Sequence, residues 1–421
     1  MANLGLGAAN SDGVAARCRS CEARLRHSVV DLGLQPFANA YLTAEQLELP
    51  ESRYPLHAYV CDECWLVQLG ESANPEELFS DYAYFSSYSE TWLQHARAYA
   101  EQIVGRLSLG PKSLVVEVAS NDGYLLRNFV EWSIPVLGIE PAQNVAEHAV
   151  TLGVPTEVVF LGHKTAKSLR ARGIAADLLV GNNVLAHVPD LNDFVAGLAT
   201  LLAPTGTLTM EFPHVLRLLL ERQFDTIYHE HFSYFSLIAA TAVFARHGLE
   251  VHDVEELPTH GGSLRVYVGQ AEAQHPLRTS VSELLERERG AGLEDVETYA
   301  RLGDEAEAVR RDVLAFLQDA RSDGRRVVAY GAPAKGNTLL NFCQISPDLL
   351  PYAVDISPHK QGHFLPGSHL PIEPPARLLA DRPDYVLILP WNLKDEIVEQ
   401  MSAVRGWGGQ FVVPIPEVRI F

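Results

Sequence analysis

Short apolar runs alternate with amphipathic segments through the middle of the chain. Runs of this length, followed by turn residues, are typical of buried strands in a parallel sheet. Four of them predict strands: Leu114–Val118, Val136–Glu140, Leu178–Gly181 and Gly206–Phe212. The segment Tyr124–Glu131, between the first two, predicts a helix. Such alternation builds a sheet with helices on both faces, so we predict an α/β domain over residues 76–278.

The alternation resumes near residue 323 and predicts a second α/β domain over residues 323–421. Its predicted elements are the strand Arg326–Tyr330, a helix at Asn337–Cys343, the strands Tyr352–Asp355 and Tyr385–Leu389, and a last strand at Phe411–Pro414. Two acidic segments with mixed charge on one face, Ser280–Arg289 and Val296–Arg321, predict helices. We expect these helices to link the two domains over residues 279–322.

Four of the five cysteines form two pairs near the N-terminus, Cys18-Arg19-Ser20-Cys21 and Cys61-Asp62-Glu63-Cys64. Each Cys-x-x-Cys turn directs two thiolates at one metal, and two such turns complete the tetrahedron that Zn²⁺ prefers. Four thiolates leave no open position, so the predicted zinc site is structural. Residues 22–60 separate the pairs by more than usual, so an inserted segment must bring them together. We predict a zinc-binding module over residues 1–75 and a core position for Cys343.

The composition narrows the class of protein. The 421 residues carry a formal net charge of −20, with 47% hydrophobic and 20% charged residues. Such an acidic chain lacks the basic face that binds nucleic acid, so we predict no nucleic-acid partner. No apolar run reaches the roughly 20 residues of a membrane helix, and no signal peptide is evident, so we predict a cytoplasmic protein without a membrane partner. The oligomeric state is not fixed by the sequence, and a monomer is compatible with it.

The turn after the first predicted strand, Glu117-Val118-Ala119-Ser120-Asn121-Asp122-Gly123, is the predicted cofactor site. It lies beyond the carboxyl end of a strand, where ligands bind in doubly wound sheets, and Glu140 at the end of the next strand can accept both ribose hydroxyls. Ala119 and Asn121 stand where a dinucleotide loop carries glycine, which weighs against a pyrophosphate. The two carboxylates of the turn suit the cationic S-adenosylmethionine instead. The residues predicted to hold this cofactor are Glu117, Ser120, Asn121, Asp122, Gly123, Glu140 and Asn183.

Titratable side chains concentrate in Tyr228-His229-Glu230-His231-Phe232-Ser233-Tyr234-Phe235, after the last predicted strand of the central domain. A neutral imidazole accepts a proton near pH 7, and a neighbouring carboxylate can orient it. His229 and His231 could instead form a metal pair, but no third ligand accompanies them. The segment therefore favours acid–base chemistry.

Taken together, these motifs resemble the nucleotide-deoxysugar C-methyltransferases of antibiotic biosynthesis, which make branched sugars such as mycarose and vancosamine. The resemblance rests on the two cysteine pairs, Asn121-Asp122-Gly123, Asn183 to His187, Tyr228 to His231, His260-Gly261-Gly262-Ser263-Leu264-Arg265 and Gly331-Ala332-Pro333-Ala334-Lys335-Gly336. It covers nearly the whole chain. It implies an α/β fold class with an N-terminal zinc-binding module, a central Rossmann-like methyltransferase domain that binds S-adenosylmethionine, and a C-terminal Rossmann-like domain that binds no dinucleotide.

The resemblance implies C-methylation at C3 of a dTDP-4-keto-2,6-dideoxyhexose. The 4-keto group acidifies the hydrogen on C3, so a base can generate an enolate whose C3 takes the methyl group. By resemblance His231 is the base, and Tyr228 and Glu230 support it or shuttle protons. His187 stabilises the enolate oxygen, and Tyr82 lines the substrate pocket.

Two cations are predicted to bind the nucleotide part of the substrate. Lys335 lies in a glycine-flanked turn before a helix, where amides and a cation bind diphosphate, and Arg265 follows a Gly-Gly pair. Asp355 ends a strand like a ribose-binding acid, which the resemblance implies is a relic. Relatives that act on 3-amino sugars often carry an acid where His229 stands, so the histidine favours a C3 oxygen.

Several alternatives stay open at this level. The methyl group could enter at C5, or the substrate could be a 3-amino sugar. The same site could catalyse NADPH-dependent 4-ketoreduction, alone or in addition, because a ketone beside tyrosine and histidine donors can also accept hydride. A non-enzymatic zinc-ribbon interaction protein would bind no S-adenosylmethionine. A plain dehydrogenase is disfavoured by the missing glycines.

Overall fold

The computed structural model describes residues 16–70, Ser87 and residues 90–421. In chain order the strands are β1 (His27–Gln35), β2 (Tyr54–Val60), β3 (Val67–Leu69), β4 (Val115–Val118), β5 (Val136–Ile139), β6 (Thr156–Glu157), β7 (Ala176–Asn182), β8 (Leu202–Pro213), β9 (Ser233–Tyr234), β10 (Leu249–Leu257), β11 (Ser263–Gln270), β12 (Val327–Tyr330), β13 (Ala353–Val354), β14 (Ile372–Glu373), β15 (Tyr385–Ile388), β16 (Gln410–Val413) and β17 (Arg419–Ile420). The α-helices are α1 (Glu90–Leu107), α2 (Leu126–Glu131), α3 (Gln143–Thr151), α4 (His163–Ala171), α5 (Leu191–Leu201), α6 (Val215–Leu220), α7 (Leu237–Ala245), α8 (Thr279–Gly290), α9 (Val296–Ser322), α10 (Ala334–Phe342), α11 (Pro375–Asp381) and α12 (Lys394–Gln400). The predicted pocket residue Tyr82 lies outside the described residues.

The N-terminal module folds as an antiparallel sheet of β1, β2 and β3, to which the central domain adds β9 as the fourth strand. In β2, Leu56, Ala58 and Val60 are buried and the residues between them are not, which is the period of a strand with one buried face. Val67 pairs with Tyr234 in the ladder between β3 and β9. The sheet of the N-terminal module therefore ends on the strand that follows the predicted base.

The central sheet has the order β10-β11-β8-β7-β4-β5-β6. β6, β5, β4, β7 and β8 are parallel, β11 pairs antiparallel with β8, and β10 pairs antiparallel with β11. All four residues of β4 are buried, as expected of a strand covered on both faces. This confirms the predicted α/β class. The carboxyl ends of β4, β5 and β7 meet at one edge, where the predicted cofactor residues lie.

The C-terminal sheet has the order β14-β13-β12-β15-β16-β17. Its strands are parallel except for β17, which pairs antiparallel with β16. The prediction that Phe411–Pro414 is the last strand is therefore wrong. β17 consists of Arg419 and Ile420 alone, and so short an edge strand has no run of alternating residues to reveal it.

The two helices predicted between the domains pack along their lengths. In α9, buried residues recur every three or four positions from Tyr299 to Ala320, and they join one apolar cluster with β1 and β12. In α8, Val281 and Leu284 join the apolar cluster of the central domain. Across the described part of the chain, no helix is long and apolar enough to cross a bilayer.

Candidate active site

The two cysteine pairs meet in space. The Sγ atoms of Cys18 and Cys64 lie 3.5 Å apart, those of Cys21 and Cys61 lie 3.4 Å apart, and all four lie within 4.8 Å of one another. Thiolates at about 2.3 Å from one tetrahedral zinc ion lie about 3.8 Å apart, so a small expansion accommodates the metal. The donor set is the one predicted for a structural Zn²⁺.

The predicted cofactor turn has a left-handed backbone at three positions. Ala119, Asn121 and Gly123 have φ values of 55°, 48° and 78°. The two non-glycine residues thus adopt the conformation that glycine favours in dinucleotide loops. The third position favours glycine, because its φ is left-handed and a Cβ there would lie only 3.2 Å from the side chains of Ala149 and Val154.

Glu140 holds this turn in place. Its two carboxylate oxygens accept the backbone N–H groups of Asn121 and Ala142, each at 2.9 Å. The position at the end of β5 is the one from which ribose hydroxyls are bound in such folds. Each carboxylate oxygen keeps a further lone pair that can accept a ribose hydroxyl. Contact of Glu140 with ribose stays a prediction.

Carboxyl groups crowd the floor of the turn. Burial raises the pKa of Glu117 well above its usual range, and the nearby Asp122 and Glu140 carboxylates raise it further. The buried acceptor atoms here that lack a hydrogen-bond partner are Glu117 Oε2, Ser120 Oγ, Asp122 Oδ1, Asn182 Oδ1 and Asn183 Oδ1. Unpartnered acceptors with excess negative charge suit a ligand that brings a positive charge and hydroxyl groups. The residues therefore fit S-adenosylmethionine.

Tyr228 and His231 form a hydrogen-bonded pair. The Tyr228 hydroxyl lies 2.7 Å from His231 Nε2, and His231 Nδ1 lies 3.1 Å from the carbonyl oxygen of Thr226. A carbonyl can only accept, so Nδ1 carries the hydrogen and Nε2 accepts the phenol proton. Burial lowers the pKa of His231 well below its usual range, and repulsion from His187, His260 and Lys335 in their protonated forms lowers it further. At neutral pH the imidazole is a neutral proton acceptor.

The His187 ring, on the turn after β7, lies 4.7 Å from the His231 ring. Burial lowers the pKa of His187 to about 4, so this imidazole is also neutral. Glu230, which is buried, follows the opposite rule: burial raises the pKa of its carboxyl to about 7. The two imidazoles thus stay uncharged near pH 7 while the carboxyl is about half ionised.

Lys335 reaches this cluster from the C-terminal domain. It lies in the first turn of α10, its Nζ donates to Asn392 Oδ1 over 2.6 Å, and Nζ lies 4.5 Å from the ring centre of Trp391. Burial lowers the Lys335 pKa to about 8, and the negative charge of Asp225 opposes that shift. Whether this ammonium binds a diphosphate stays a prediction.

Arg265 is placed differently from the prediction. In β11 it stands directly opposite Glu211 of β8 and Glu255 of β10, and its guanidinium lies 2.9 Å and 3.4 Å from their carboxylates. Only 3% of the residue is exposed. The arginine is committed to an internal ion pair, so the predicted contact with substrate has no support here.

The metal alternative at His229 and His231 also finds no support. His229 Nε2 lies 3.2 Å from the Pro55 carbonyl oxygen, whereas His231 faces Tyr228 and Thr226. Among the residues the structure describes, the cysteine cluster is the sole group of three or more possible ligands able to hold a metal ion.

Some residues of the site were not predicted. His260 occupies a left-handed turn before β11, accepts from Asn183 Nδ2 over 3.3 Å, and lies 5.4 Å from the Trp92 ring. Its place in the His260–Arg265 motif was a signal that could have identified it. Asn39, which donates to Glu230 over 2.7 Å, carries no local signal.

Family models match the chain in succession. They are described as "Putative zinc binding domain" over residues 18–79, "Methyltransferase domain" over residues 92–254 and "C-methyltransferase C-terminal domain" over residues 258–416. The C-methyltransferase NovU from Streptomyces niveus is 38% identical over 403 residues, which cover 96% of this chain and 96% of NovU.

Solved structures give weaker matches. The magnesium protoporphyrin IX methyltransferase ChlM from Synechocystis with bound SAH has 16% identity and a TM-score of 0.34, covering 42% of this chain and 82% of that one. A SAM-dependent methyltransferase from Anabaena variabilis has 14% identity and a TM-score of 0.34, covering 41% and 84%. Likenesses at this level add nothing to the assignment.

Proposed function

The chain belongs to the family of S-adenosylmethionine-dependent C-methyltransferases, and we propose that it methylates C3 of a dTDP-4-keto-2,6-dideoxyhexose through an enolate. The observation that carries the proposal is the Tyr228–His231 pair beside His187. A neutral base with a fixed tautomer next to a neutral N–H donor is what removal of a proton beside a ketone requires.

His231 is the general base of the proposed reaction. Thr226 fixes the hydrogen on Nδ1, so the lone pair of Nε2 receives the proton, directly or through the Tyr228 hydroxyl that occupies it. The lowered pKa keeps the imidazole unprotonated, so none of the enzyme is lost to the charged form at neutral pH. For His187, uncharged for the same reason, we propose that its single N–H turns from the Glu230 backbone to the enolate oxygen when the sugar binds.

S-adenosylmethionine would be held by the turn after β4 and would supply an electrophilic methyl group on a sulfonium. Glu117, Asp122 and Asn183 offer buried acceptor oxygens to its ammonium and ribose hydroxyls. Glu140 keeps the turn open by binding its backbone. No metal is needed in this chemistry, so Zn²⁺ at the four cysteines is structural.

For the substrate, we propose that Lys335 contacts the diphosphate of the dTDP group. The C3 substituent is proposed to be oxygen. His229, at the position where an acid would pair with a sugar ammonium, hydrogen-bonds the Pro55 carbonyl through Nε2 and has its pKa lowered by burial. We also propose that the protein works in the cytoplasm, where a reducing environment keeps the cysteines of the zinc module as thiols.

No specific observation favours NADPH-dependent ketoreduction. Asp355, where a dinucleotide fold binds ribose, accepts the backbone N–H groups of Ala332 and Ser357, each at 2.8 Å, and Lys360 lies 3.5 Å from it. Mixing the protein with NADPH and the keto sugar tests this alternative, because oxidation of NADPH would revive it.

The direct test is incubation with methyl-labelled S-adenosylmethionine and dTDP-4-keto sugars that carry hydroxyl or amino groups at C3. We expect label at C3 of the hydroxyl sugar by mass spectrometry and NMR. Label at C5, or transfer to none of the sugars, would overturn the proposal. His231→Ala should lower kcat by about 10²–10⁴-fold and leave cofactor affinity within about twofold, and His148→Ala, on α3, is the matched control.

A further inference from the structure

A loop of the N-terminal module, residues 36–42, runs between the central and C-terminal domains. We name it the bridging loop. At its end, Leu42 and Phe364 exchange backbone hydrogen bonds of 3.0 and 2.9 Å. The Tyr41 hydroxyl donates to the Ala332 carbonyl oxygen over 2.8 Å, in the turn that follows β12. The loop is thus anchored on the C-terminal domain.

From this anchored loop, Asn39 reaches Glu230, in the segment Tyr228–Phe235 that holds the proposed base. Its Nδ2 donates to Glu230 Oε1 over 2.7 Å, and its Oδ1 lies 3.3 Å from the Tyr41 hydroxyl. An ionised carboxylate can only accept, so the Asn39 amide must present its NH₂ group to Glu230. Glu230 is 6% exposed, so a single fixed donor replaces much of the water that an ionised carboxylate requires.

We propose that Asn39 is a positioning residue for methyl transfer, which fixes the Glu230 carboxylate and keeps it ionised from a different domain. The inference rests on the proposed function and on the role that the resemblance implies for Glu230, which is to support His231 or to shuttle protons. The bridging loop would then make the reaction depend on correct docking of all three domains.

The surroundings of Glu230 explain why the Asn39 hydrogen bond matters for the ionisation of this carboxyl. Burial raises the pKa of the Glu230 carboxyl, and the Asn39 hydrogen bond is the influence that lowers it. Titratable groups that interact with Glu230 include the Tyr41 phenol, whose pKa is itself raised by burial, and His187, whose ring hydrogen-bonds the Glu230 backbone. Neither brings a positive charge near neutral pH. The nearby cation of Lys360 lies 5.5 Å from the Tyr41 ring centre and donates to the Ala332 carbonyl oxygen over 3.0 Å.

The test is the pH dependence of kcat in Asn39→Ala and Asn39→Asp. Loss of a hydrogen bond to a charged group is worth about one pKa unit. Near pH 7 the Ala variant should therefore have about fivefold lower kcat, with recovery to within about twofold of wild type by pH 9. The Asp variant adds a like charge, so the acid limb of its kcat–pH profile should lie at a still higher pH. The KM for sugar should change less than kcat.

Asn192→Ala is the matched control. Asn192 also joins the N-terminal module to the central domain, through the Arg19 and Ser20 carbonyl oxygens at 3.1 and 3.0 Å, but it does not touch Glu230. It should leave the acid limb in place, whatever it costs in thermal stability. If the Asn39 variants fold, contain zinc and keep the wild-type acid limb, the inference is wrong.

Glu230→Gln separates this inference from the proposed function. If Glu230→Gln keeps full kcat at every pH, Glu230 has no supporting role, and the role that the resemblance implies for it fails together with the inference. If Glu230→Gln is impaired and the Asn39 variants match wild type, the inference alone fails.

Discussion

Gln68 connects the cysteine cluster through Ser233 to the segment Tyr228–Phe235, which holds the proposed base. In the ladder between β3 and β9 the two residues stand opposite each other, and Gln68 Nε2 donates to Cys18 Sγ over 3.2 Å. Arg19, within the first cysteine pair, lies 5.3 Å from the Phe232 ring centre. Phe232 and Ser233 directly follow His231, so we expect the position of this proposed base to depend on the cysteine cluster.

Loss of zinc should therefore abolish methyl transfer before it affects the cofactor site. We expect chelator-treated enzyme, or Cys61→Ser, to lose at least about tenfold in kcat in proportion to zinc content. Affinity for S-adenosylmethionine should stay within about threefold, because the turn after β4 lies on a separate sheet. Metal analysis, turnover and calorimetry on the same samples measure the three quantities.

Cys343→Ser is the control for this experiment. Cys343 is buried at the end of α10 and lies outside the cysteine cluster. It should change neither zinc content nor turnover at a temperature where the variant is folded. Full activity in zinc-free protein would show that the β3–β9 pairing does not position His231.

The parts of the fold that were predictable from sequence are those set by local patterns. β4 and β7 are rich in apolar residues, as is typical of a strand covered on both faces, and the spacing within each cysteine pair indicates a zinc site directly. The turn after β4 was also located from the sequence, although Ala119 and Asn121 replace glycines, and its role in holding the cofactor stays a prediction.

Contacts between distant strands were not predictable. Arg265 looks like a free cation at a strand end, yet β8 and β10 place a carboxylate on each side of it. Cross-strand partners of this kind depend on register, which the local sequence does not contain. Asn39 was missed for the same reason, because 191 positions separate it from Glu230 along the chain.

Glu117→Gln should affect binding and stability in opposite directions. Without ligand, the buried Glu117 carboxyl is crowded by Asp122 and Glu140, so its raised pKa means that neutralising it favours the folded state. We expect the thermal midpoint of the free protein to rise by about 2 °C. Affinity for S-adenosylmethionine should fall about tenfold or more, since an acceptor for the cation is weakened. Calorimetry and thermal melts measure both.

The exposed carboxyl of Glu131 provides the comparison for that experiment. Glu131→Gln, at the end of α2, should change neither the midpoint by more than about 1 °C nor the affinity. Weaker binding together with lower stability in Glu117→Gln would mean that the carboxyl is structural and does not serve the cofactor.

The pH profile of kcat should show an acid limb near pH 7 that belongs to Glu230. Its pKa of about 7 leaves the carboxyl half ionised there, and the ionised fraction increases with pH. His231, whose pKa is lowered, stays neutral through this range and adds no limb. Glu230→Gln should have a reduced kcat that is flat between about pH 6 and 8. A limb that persists in this variant must come from another group.

Lys335→Met should distinguish substrate binding from packing. A long apolar side chain can keep the contact with Trp391 while removing the charge. If the ammonium binds diphosphate, the KM for the sugar nucleotide should rise about tenfold or more while kcat falls less than about threefold. The affinity for S-adenosylmethionine should not change. An unchanged KM would mean that residues other than Lys335 bind the diphosphate.

Glu288 should be essential for stability and irrelevant to chemistry. From α8 it lies 2.7 Å from His214 Nε2 and accepts the backbone N–H groups of Leu237 and Ile238, at the start of α7, over 2.7 and 2.8 Å. Its removal leaves these buried donors without a partner, which costs about 3–5 kcal/mol of unfolding free energy. We expect Glu288→Ala to unfold at much lower urea concentration while its kcat at low temperature stays within about twofold. Glu286→Ala, on the exposed face of the same helix, should match wild type in both measurements. Equal stability of the two variants would show that α8 is not fastened to the central domain through this carboxylate.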